Sequence, residues 1–271
     1  MKEKNFFITI LIIWSIGPLF LQLYTSFSTN EALIQSSNAI ANRWTLDNYI
    51  QVLTSTPPFW RYLLNSTIVG LMSTLITLII AIPASYTLAR VNPLIEKQLR
   101  YLLLSAALFP YVLLFLALLE IARYLSLGNN LLAISLPYAG LSLPLAILLL
   151  SSAFKDIPID LEDAAKIEGF SLFQRLRWIL VPLIAPSTSS TAILVFLFSW
   201  NEYPIALTWL SKSELLTLPV AIARIAGSSV YSVPYGAYAA ATVLGSIPLF
   251  TIVLIFQKQI ISGLTQGAVK G

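Results

Sequence analysis

The 271-residue chain contains neither His nor Cys. That removes imidazole bases, thiol nucleophiles, disulfides and every metal site built on those ligands, so no catalytic residue and no metal site is assigned. Carboxylates, cations, hydroxyls and amides remain, and the densest run of charge falls at 155–182. Asp156, Asp160, Glu162, Asp163 and Glu168 stand there with Lys155, Lys166, Arg175 and Arg177. The whole chain is 57% hydrophobic and only 10% charged, so such density places this stretch in water. Its chemistry is recognition rather than bond making. Glu162 and Asp163 offer carboxylates to cations of a partner, and Ala164 and Ala165 between them and Gly169 give a small surface for close packing.

The local signals describe two short helices with a bend. Pro158 suits the start of a helix, and acidic residues at 160, 162 and 163 favour its positive end. Gly169 is placed to end that helix in a left-handed conformation, and Ser171 with Gln174 forms a capping-box pattern for the next. Pro182 then opens an apolar run. Elsewhere, Pro186-Ser-Thr-Ser-Ser-Thr191 is the most polar patch in any apolar run. Ser187, Ser190 and Thr191 are candidates to line a hydrated passage, with bonding to a neighbouring helix or to their own carbonyls as alternatives. Asn201 and Glu202, beside Trp200 and Tyr203, either contact substrate or a partner or anchor the chain at an interface. Glu120 and Arg123, three apart, are spaced to pair on one helix face.

About 20 apolar residues cross a bilayer core. Six runs qualify, at about 6–27, 62–89, 100–122, 132–154, 183–203 and 238–260, in a single domain covering 1–271. The first is read as an uncleaved span, since no small-residue cleavage site follows it. Prolines 83, 110, 144, 186 and 248 fall within or at the edge of these runs and are expected to interrupt helices. Six spans put both termini on one side. If that side is the cytoplasm, it holds eleven basic residues (2, 4, 90, 97, 100, 155, 166, 175, 177, 258 and 270), and the other side holds five (43, 61, 123, 212 and 224). The positive-inside rule therefore places 155–182 and both termini in the cytoplasm. The expectation is an all-α, multi-pass protein of the cytoplasmic (inner) membrane, with the lipid bilayer as its medium. Scattered basic residues and the lack of a soluble module argue against a nucleic-acid partner.

With these residues in hand, the chain resembles the membrane subunits of bacterial ABC importers. Their cytoplasmic loop carries Glu-Ala-Ala, three residues, Gly, nine residues, Ile, any residue, Leu and Pro. Here it stands as Asp163-Ala164-Ala165, Gly169, Ile179, Val181 and Pro182, with Asp for Glu and Val for Leu. The wider match is similar to the second permease of the maltose-type carbohydrate branch. It rests on Thr45-Leu46-Asp47-Asn48-Tyr49, Asn65-Ser66, Tyr86-Thr-Leu-Ala-Arg90, Leu161 to Gly169, Trp200-Asn201-Glu202, Thr217-Leu218-Pro219-Val220 and the tail 257–271.

The resemblance implies the six-helix fold of a type I ABC importer permease. It also implies three kinds of partner: a second, homologous permease subunit, two ATP-binding subunits, and an extracytoplasmic solute-binding protein that delivers a sugar or sugar-like osmolyte. Glu162, Asp163, Ala164, Ala165, Glu168, Gly169, Phe170 and Pro182 would couple the chain to the ATPase, which Gly267 and Lys270 in the tail would also contact. Gly227, Ser228 and Ser229 would form a loop tip reaching the binding protein. No cofactor belongs to this chain; ATP and Mg would be used by the ATPase subunits. Consistently, the sequence has no Gly-x4-Gly-Lys-Ser/Thr phosphate loop. An ion-coupled transporter is disfavoured because the middle of every run lacks titratable residues. A permease for a non-sugar solute stands as the alternative within the family.

Overall fold

The computed structural model describes residues 2–34, 44–225 and 233–266. These form helices and turns, with one β-bridge between Ser28 and Trp44. The apolar runs become α1 (Lys2–Ser26), α4 (Phe59–Arg90), α7 (Leu131–Lys155), α11 (Ala185–Asn201) and α14 (Tyr235–Gln266), with the third run divided between α5 (Pro93–Ala107) and α6 (Phe115–Tyr124). Short helices α2 (Asn30–Ile34), α3 (Asp47–Leu53), α12 (Pro204–Trp209) and α13 (Leu218–Ile225) lie in the two longest connections. The stretch 155–182 forms α8 (Ile159–Ile167), α9 (Leu172–Arg175) and α10 (Val181–Leu183).

Two runs differ from straight spans. The helix before Leu108 and the helical segment from Tyr111 are bent by 76°, and the segment before Ala185 meets α11 at 82°. Pro110 sits at the first break, capping a 3-10 turn, and Pro186 lies in the first turn of α11. The other expected interruptions do not occur: Pro83, Pro144 and Pro248 lie inside continuous helices. A proline removes one backbone donor, which a packed membrane helix tolerates when neighbouring groups re-satisfy the freed carbonyl. A break appears where residues leave the helix altogether, three at 108–110 and Ile184 alone before α11.

The body is assembled around α4 and α7, the most extensively packed pair. Small residues are buried along both helices: Ser66, Gly70, Ser73, Thr77, Ala81 and Ser85 on α4, and Ser135, Ala139, Ser142 and Ala146 on α7. Between apolar helices in lipid there is no hydrophobic drive, so close backbone approach supplies dispersion contact instead. Ser135 Oγ reaches Val69 O and Thr77 Oγ1 reaches Ala139 O, both at 3.4 Å across the seam. Each hydroxyl also donates within its own helix, Ser135 to Leu131 O and Thr77 to Ser73 O. The third helix, α11, crosses α4 at Gly70, where a Cβ would stand 2.7 Å from Phe196 Cε2. Many large apolar side chains face outward, among them Trp14, Leu71, Ile79 and Leu102, the reverse of a water-soluble surface.

Amide side chains tie the outer connections to this body. Asn65 Nδ2 donates to Glu214 O and Leu216 O at 2.9 Å, and Ser66 Oγ accepts from Leu218 N at 2.8 Å. Asn48 Nδ2 holds Ser26 O and Ser28 O, and Asn129 Oδ1 accepts from Ser211 N and Lys212 N. The seam geometry predicts that Gly70→Val costs about 1–3 kcal/mol through overpacking against Phe196. Thermal unfolding of the detergent-purified protein should fall accordingly, and Phe196→Ala in the same chain should recover part of the loss. Unchanged stability of Gly70→Val would mean that the crossing has slack.

Candidate functional site

The charged stretch is punctuated as its residues dictate. Pro158, in extended backbone, precedes the first residue of α8, and Asp160 and Glu162 lie in the first turn, where the helix dipole favours them. At the far end Gly169 takes φ +86°. Gly169 N donates to Lys166 O and Phe170 N to Ala165 O, each at 3.0 Å. This is the Schellman arrangement, which pairs carbonyls the helix would otherwise leave unsatisfied. Ser171 and Gln174 then cap α9 reciprocally: Gln174 Oε1 accepts from Ser171 N at 2.8 Å and Ser171 Oγ from Gln174 N at 3.4 Å.

The faces of α8 are unequal. Ala164, Glu168 and Gly169 are exposed, and Phe170 is half-buried. Ile167 is 87% exposed, and Ile159, Leu161, Leu172 and Phe173 are also open. Asp163 is exposed and pairs locally with Lys166 at 2.6 Å. Ala165 is buried. Glu162 departs from the expectation that it faces a partner: it is 2% exposed. Consecutive helical residues point about 100° apart, so with Asp163 outward Glu162 turns in. Its Oε1 accepts from Arg90 Nε at 2.7 Å, and its Oε2 from the Tyr86 hydroxyl at 2.9 Å. Arg90 Nη2 closes on the same carboxylate and donates to Ile157 O at 3.2 Å. A second ion cluster sits nearby, where Glu96 on α5 accepts from Arg100 and from Lys155 at the end of α7.

Beyond α9 the chain forms a π-turn, Leu176–Leu180, that the sequence did not announce. Pro182 is exposed within α10 and does not itself open the span; α11 begins after the 82° bend at Ile184. Arg175 Nε and Nη1 are buried here without a hydrogen-bond partner among the described residues.

The candidate path residues are distributed differently from the expectation. Ser187, Ser190 and Thr191 are buried. Thr191 Oγ1 donates to Ser187 O, and Ser190 Oγ contacts Pro186 O and, across to α14, Gln259 O. Thr191 also borders a cavity of about 390 Å³ with Ser142, Leu145 and Phe198. Asn201 is exposed and lines a cleft of about 380 Å³ with Tyr203, Tyr238, Thr242 and Ser246. Glu202 does not reach that cleft. It is 3% exposed, and its carboxylate accepts from the Tyr138 hydroxyl and from the N–H groups of Ile205 and Ala206, capping α12. Glu120 and Arg123 approach to 4.0 Å on an exposed face, a geometry of little energetic weight. The candidates Gly227, Ser228, Ser229, Gly267 and Lys270 lie outside the described residues.

Residues 40–266 match the family described as binding-protein-dependent transport system inner membrane component. The chain is 38% identical over 264 residues to the sulfoquinovosyl glycerol transport system permease protein SmoH of Agrobacterium fabrum, covering 97% of this chain and 92% of that one. It is 40% identical over 242 residues to the trehalose transport system permease protein SugB of Mycobacterium tuberculosis, covering 88% and 86%. It is 36% identical over 255 residues to the trehalose/maltose transport system permease protein MalG of Thermococcus litoralis, covering 94% and 91%. The fold superposes on a chain of a bacterial ABC transporter involved in import of the acidic polysaccharide alginate, with a TM-score of 0.78 at 20% identity over 94% of each chain. The chain belongs to the binding-protein-dependent inner membrane component family. It is a multi-pass permease subunit of the inner membrane, without an ATPase site of its own.

The positive φ at Gly169 makes a graded prediction for the site. Gly169→Val should cost about 1–2 kcal/mol or more, and Gly169→Asn less, because Asn tolerates the left-handed region. Limited proteolysis within 156–182 in isolated membranes should become faster in the order Gly, Asn, Val. Equal rates would contradict the capping geometry.

Proposed function

We propose that this chain is one of two permease subunits of an importer for a sugar or sugar-like osmolyte, and that α8 is its coupling helix for an ATP-binding subunit. The observation that supports this most is the pairing of a rigidly capped α8 with an outward apolar surface of Ala164, Ile167 and Phe170, flanked by Asp163 and Glu168. An Ile standing 87% open in an aqueous loop is a poor surface residue and a good anchor for a partner's pocket. Asp163 and Glu168 would meet cations at the rim, while Gly169 and Pro182 shape the chain that follows.

Family membership supports the rest of the proposed assembly. Two ATP-binding subunits would bind ATP and Mg below the membrane, one gripping this α8 and one the corresponding helix of a homologous second permease. The tail with Gly267 and Lys270 would reach the same ATPase pair. A solute-binding protein would dock on the outer side, where 226–230 with Gly227, Ser228 and Ser229 connects α13 to α14. The sugar assignment is supported by the relatives, whose names specify sulfoquinovosyl glycerol, trehalose and maltose. Asn201, in a cleft bordered by Tyr203 and Tyr238, has the amide-plus-aromatic chemistry that suits a sugar face. Ser187, Ser190 and Thr191 would serve the path by holding α11 rather than by touching solute. The eleven-to-five basic asymmetry supports cytoplasmic termini.

Burying Ile167 in a partner is worth about 2 kcal/mol, or roughly 30-fold in affinity. Ile167→Asp should leave the protein in the membrane but lose the ATP-binding subunits on co-purification, with uptake of trehalose or the cognate sugar abolished. Wild-type recovery of those subunits would remove α8 from the interface. Topology has a separate test, since the chain has no native cysteine. Ser171→Cys should react with an impermeant thiol reagent in inside-out vesicles and not in intact cells; labelling from outside would overturn the orientation.

A further inference from the structure

Contact with an ATPase explains the outer face of α8 but not how its displacement reaches the membrane body. The chain offers two routes. Along the backbone, α8 leads through the Gly169 turn, α9, the π-turn and the three-residue α10 into an 82° bend before α11. That route contains several joints. Across space, α8 makes no extensive helix-to-helix packing of its own among the described residues. What fastens it is Glu162, whose two carboxylate oxygens are held by Arg90 and Tyr86 at the inner end of α4. Arg90 also grips Ile157 O at the entry to α8, and Tyr86 stacks edge-on against Phe154 at the end of α7, ring centroids 5.7 Å apart.

We propose that Glu162 is a positioning residue that pins the coupling helix to α4, so that displacement of α8 is delivered to α4 and its α7 partner instead of along the chain into α11. The pin suits this role because it is buried: the Glu162 side chain is 1% exposed, and separating it from Arg90 would strand a desolvated carboxylate. Solvent screening, which weakens exposed pairs such as Asp163 and Lys166, acts much less there. Leu180 and Ile184 pack in the same inner core as Phe154 and Ala81, so the inner end of α11 meets α4 and α7 through apolar side chains, which can slide past one another as a buried ion pair cannot. Arg175, with two buried nitrogens lacking a partner, lies on the jointed limb close enough to Tyr86 to act on its hydroxyl electrostatically. It supplies a second cation beside the pin without an ion pair of its own within 4 Å among the described residues.

The inference rests on the reading of α8 as the ATPase contact, and its test separates the two. The complete transporter, with both permeases, the ATP-binding subunits and the loaded binding protein, is reconstituted in liposomes. Glu162→Gln keeps the shape of the pin and removes its charge. The expected result is normal recovery of the ATP-binding subunits, with sugar transported per ATP hydrolysed reduced at least tenfold. Tyr86→Phe, which loses one hydrogen bond, should give an intermediate ratio. Glu162→Gln with a wild-type ratio would overturn the pin. Failure to recover ATP-binding subunits with Ile167→Asp concerns only the docking surface, because Ile167 is 87% exposed whereas Glu162 is buried.

A second measurement covers the case in which Glu162→Gln does not assemble. Spin labels at Asp160→Cys and Thr87→Cys report α8 against α4, and labels at Asp160→Cys and Ala185→Cys report α8 against α11. On ATP binding by the assembled complex, the first distance should hold within about 1 Å while the second shifts by more. The reverse pattern, with α8 moving against α4 and keeping its distance from α11, would assign transmission to the backbone route.

Discussion

The helical body of this protein depends on how closely α4 and α7 approach. In lipid, apolar side chains gain nothing by leaving hydrocarbon for one another, so association must come from dispersion between backbones that can nearly touch. The row Ser66, Gly70, Ser73, Thr77, Ala81 against Ser135, Ala139, Ser142, Ala146 permits that approach. The hydroxyls of Ser73, Thr77, Ser135 and Ser142 cost little in burial, because each donates to a carbonyl of its own helix. Bulkier residues would separate the pair, and with it the surfaces on which α11 and α5 rest.

Once that seam is set, polar side chains determine where the connections lie. Asn65 and Ser66, nearly two turns from the start of α4, hold residues 214–218. Asn129 and Asn48 do the same for 211–212 and for the end of α1. Glu202 caps α12 from within the body. At the other end of α4 the equivalent fastenings are ionic: Glu162 with Arg90, and Glu96 with Lys155 and Arg100. The difference follows from geometry. An outer loop must be held at backbone carbonyls and amides, which an Asn matches with donor and acceptor together. At the inner face, side chains from separate helices meet, and charge bridges the longer span.

Much of this was legible before any coordinates, and the part that was not has identifiable causes. Hydropathy placed the apolar runs, and Pro158, Gly169, Ser171 and Gln174 marked the ends of α8 and α9 because each signal acts within one turn of its own residue. The break at 108–110 and the π-turn at 176–180 escaped because a proline announces a lost donor, not how far the chain departs from the helix. Pro83, Pro144 and Pro248 carry the same signal and stay helical. The opposite fates of Glu162 and Asp163 escaped for a different reason. The two carboxylates are adjacent, and which of them turns inward depends on Arg90 and Tyr86, more than seventy residues away. Glu202 read as a substrate or partner contact or an interfacial anchor for the same reason: its hydrogen-bond partner Tyr138 lies on another helix.

The arrangement at the inner face also bears on why the loop keeps two neighbouring acids when only one can face a partner. An exposed carboxylate near a helix start gains a few tenths of a kcal/mol from the dipole and remains free to exchange a local Lys for a cation of another chain. Asp163, paired with Lys166 three residues on, is in that position. A buried carboxylate behaves oppositely: removing its partner costs about 3–5 kcal/mol, so it holds one geometry and resists exchange. Placing the two kinds side by side on α8 gives a helix that is easily engaged on one face and firmly held on the other. Reversing their order would bury the exchangeable group and expose the fixed one. The helix would then have neither a free carboxylate at its partner surface nor an anchor to α4.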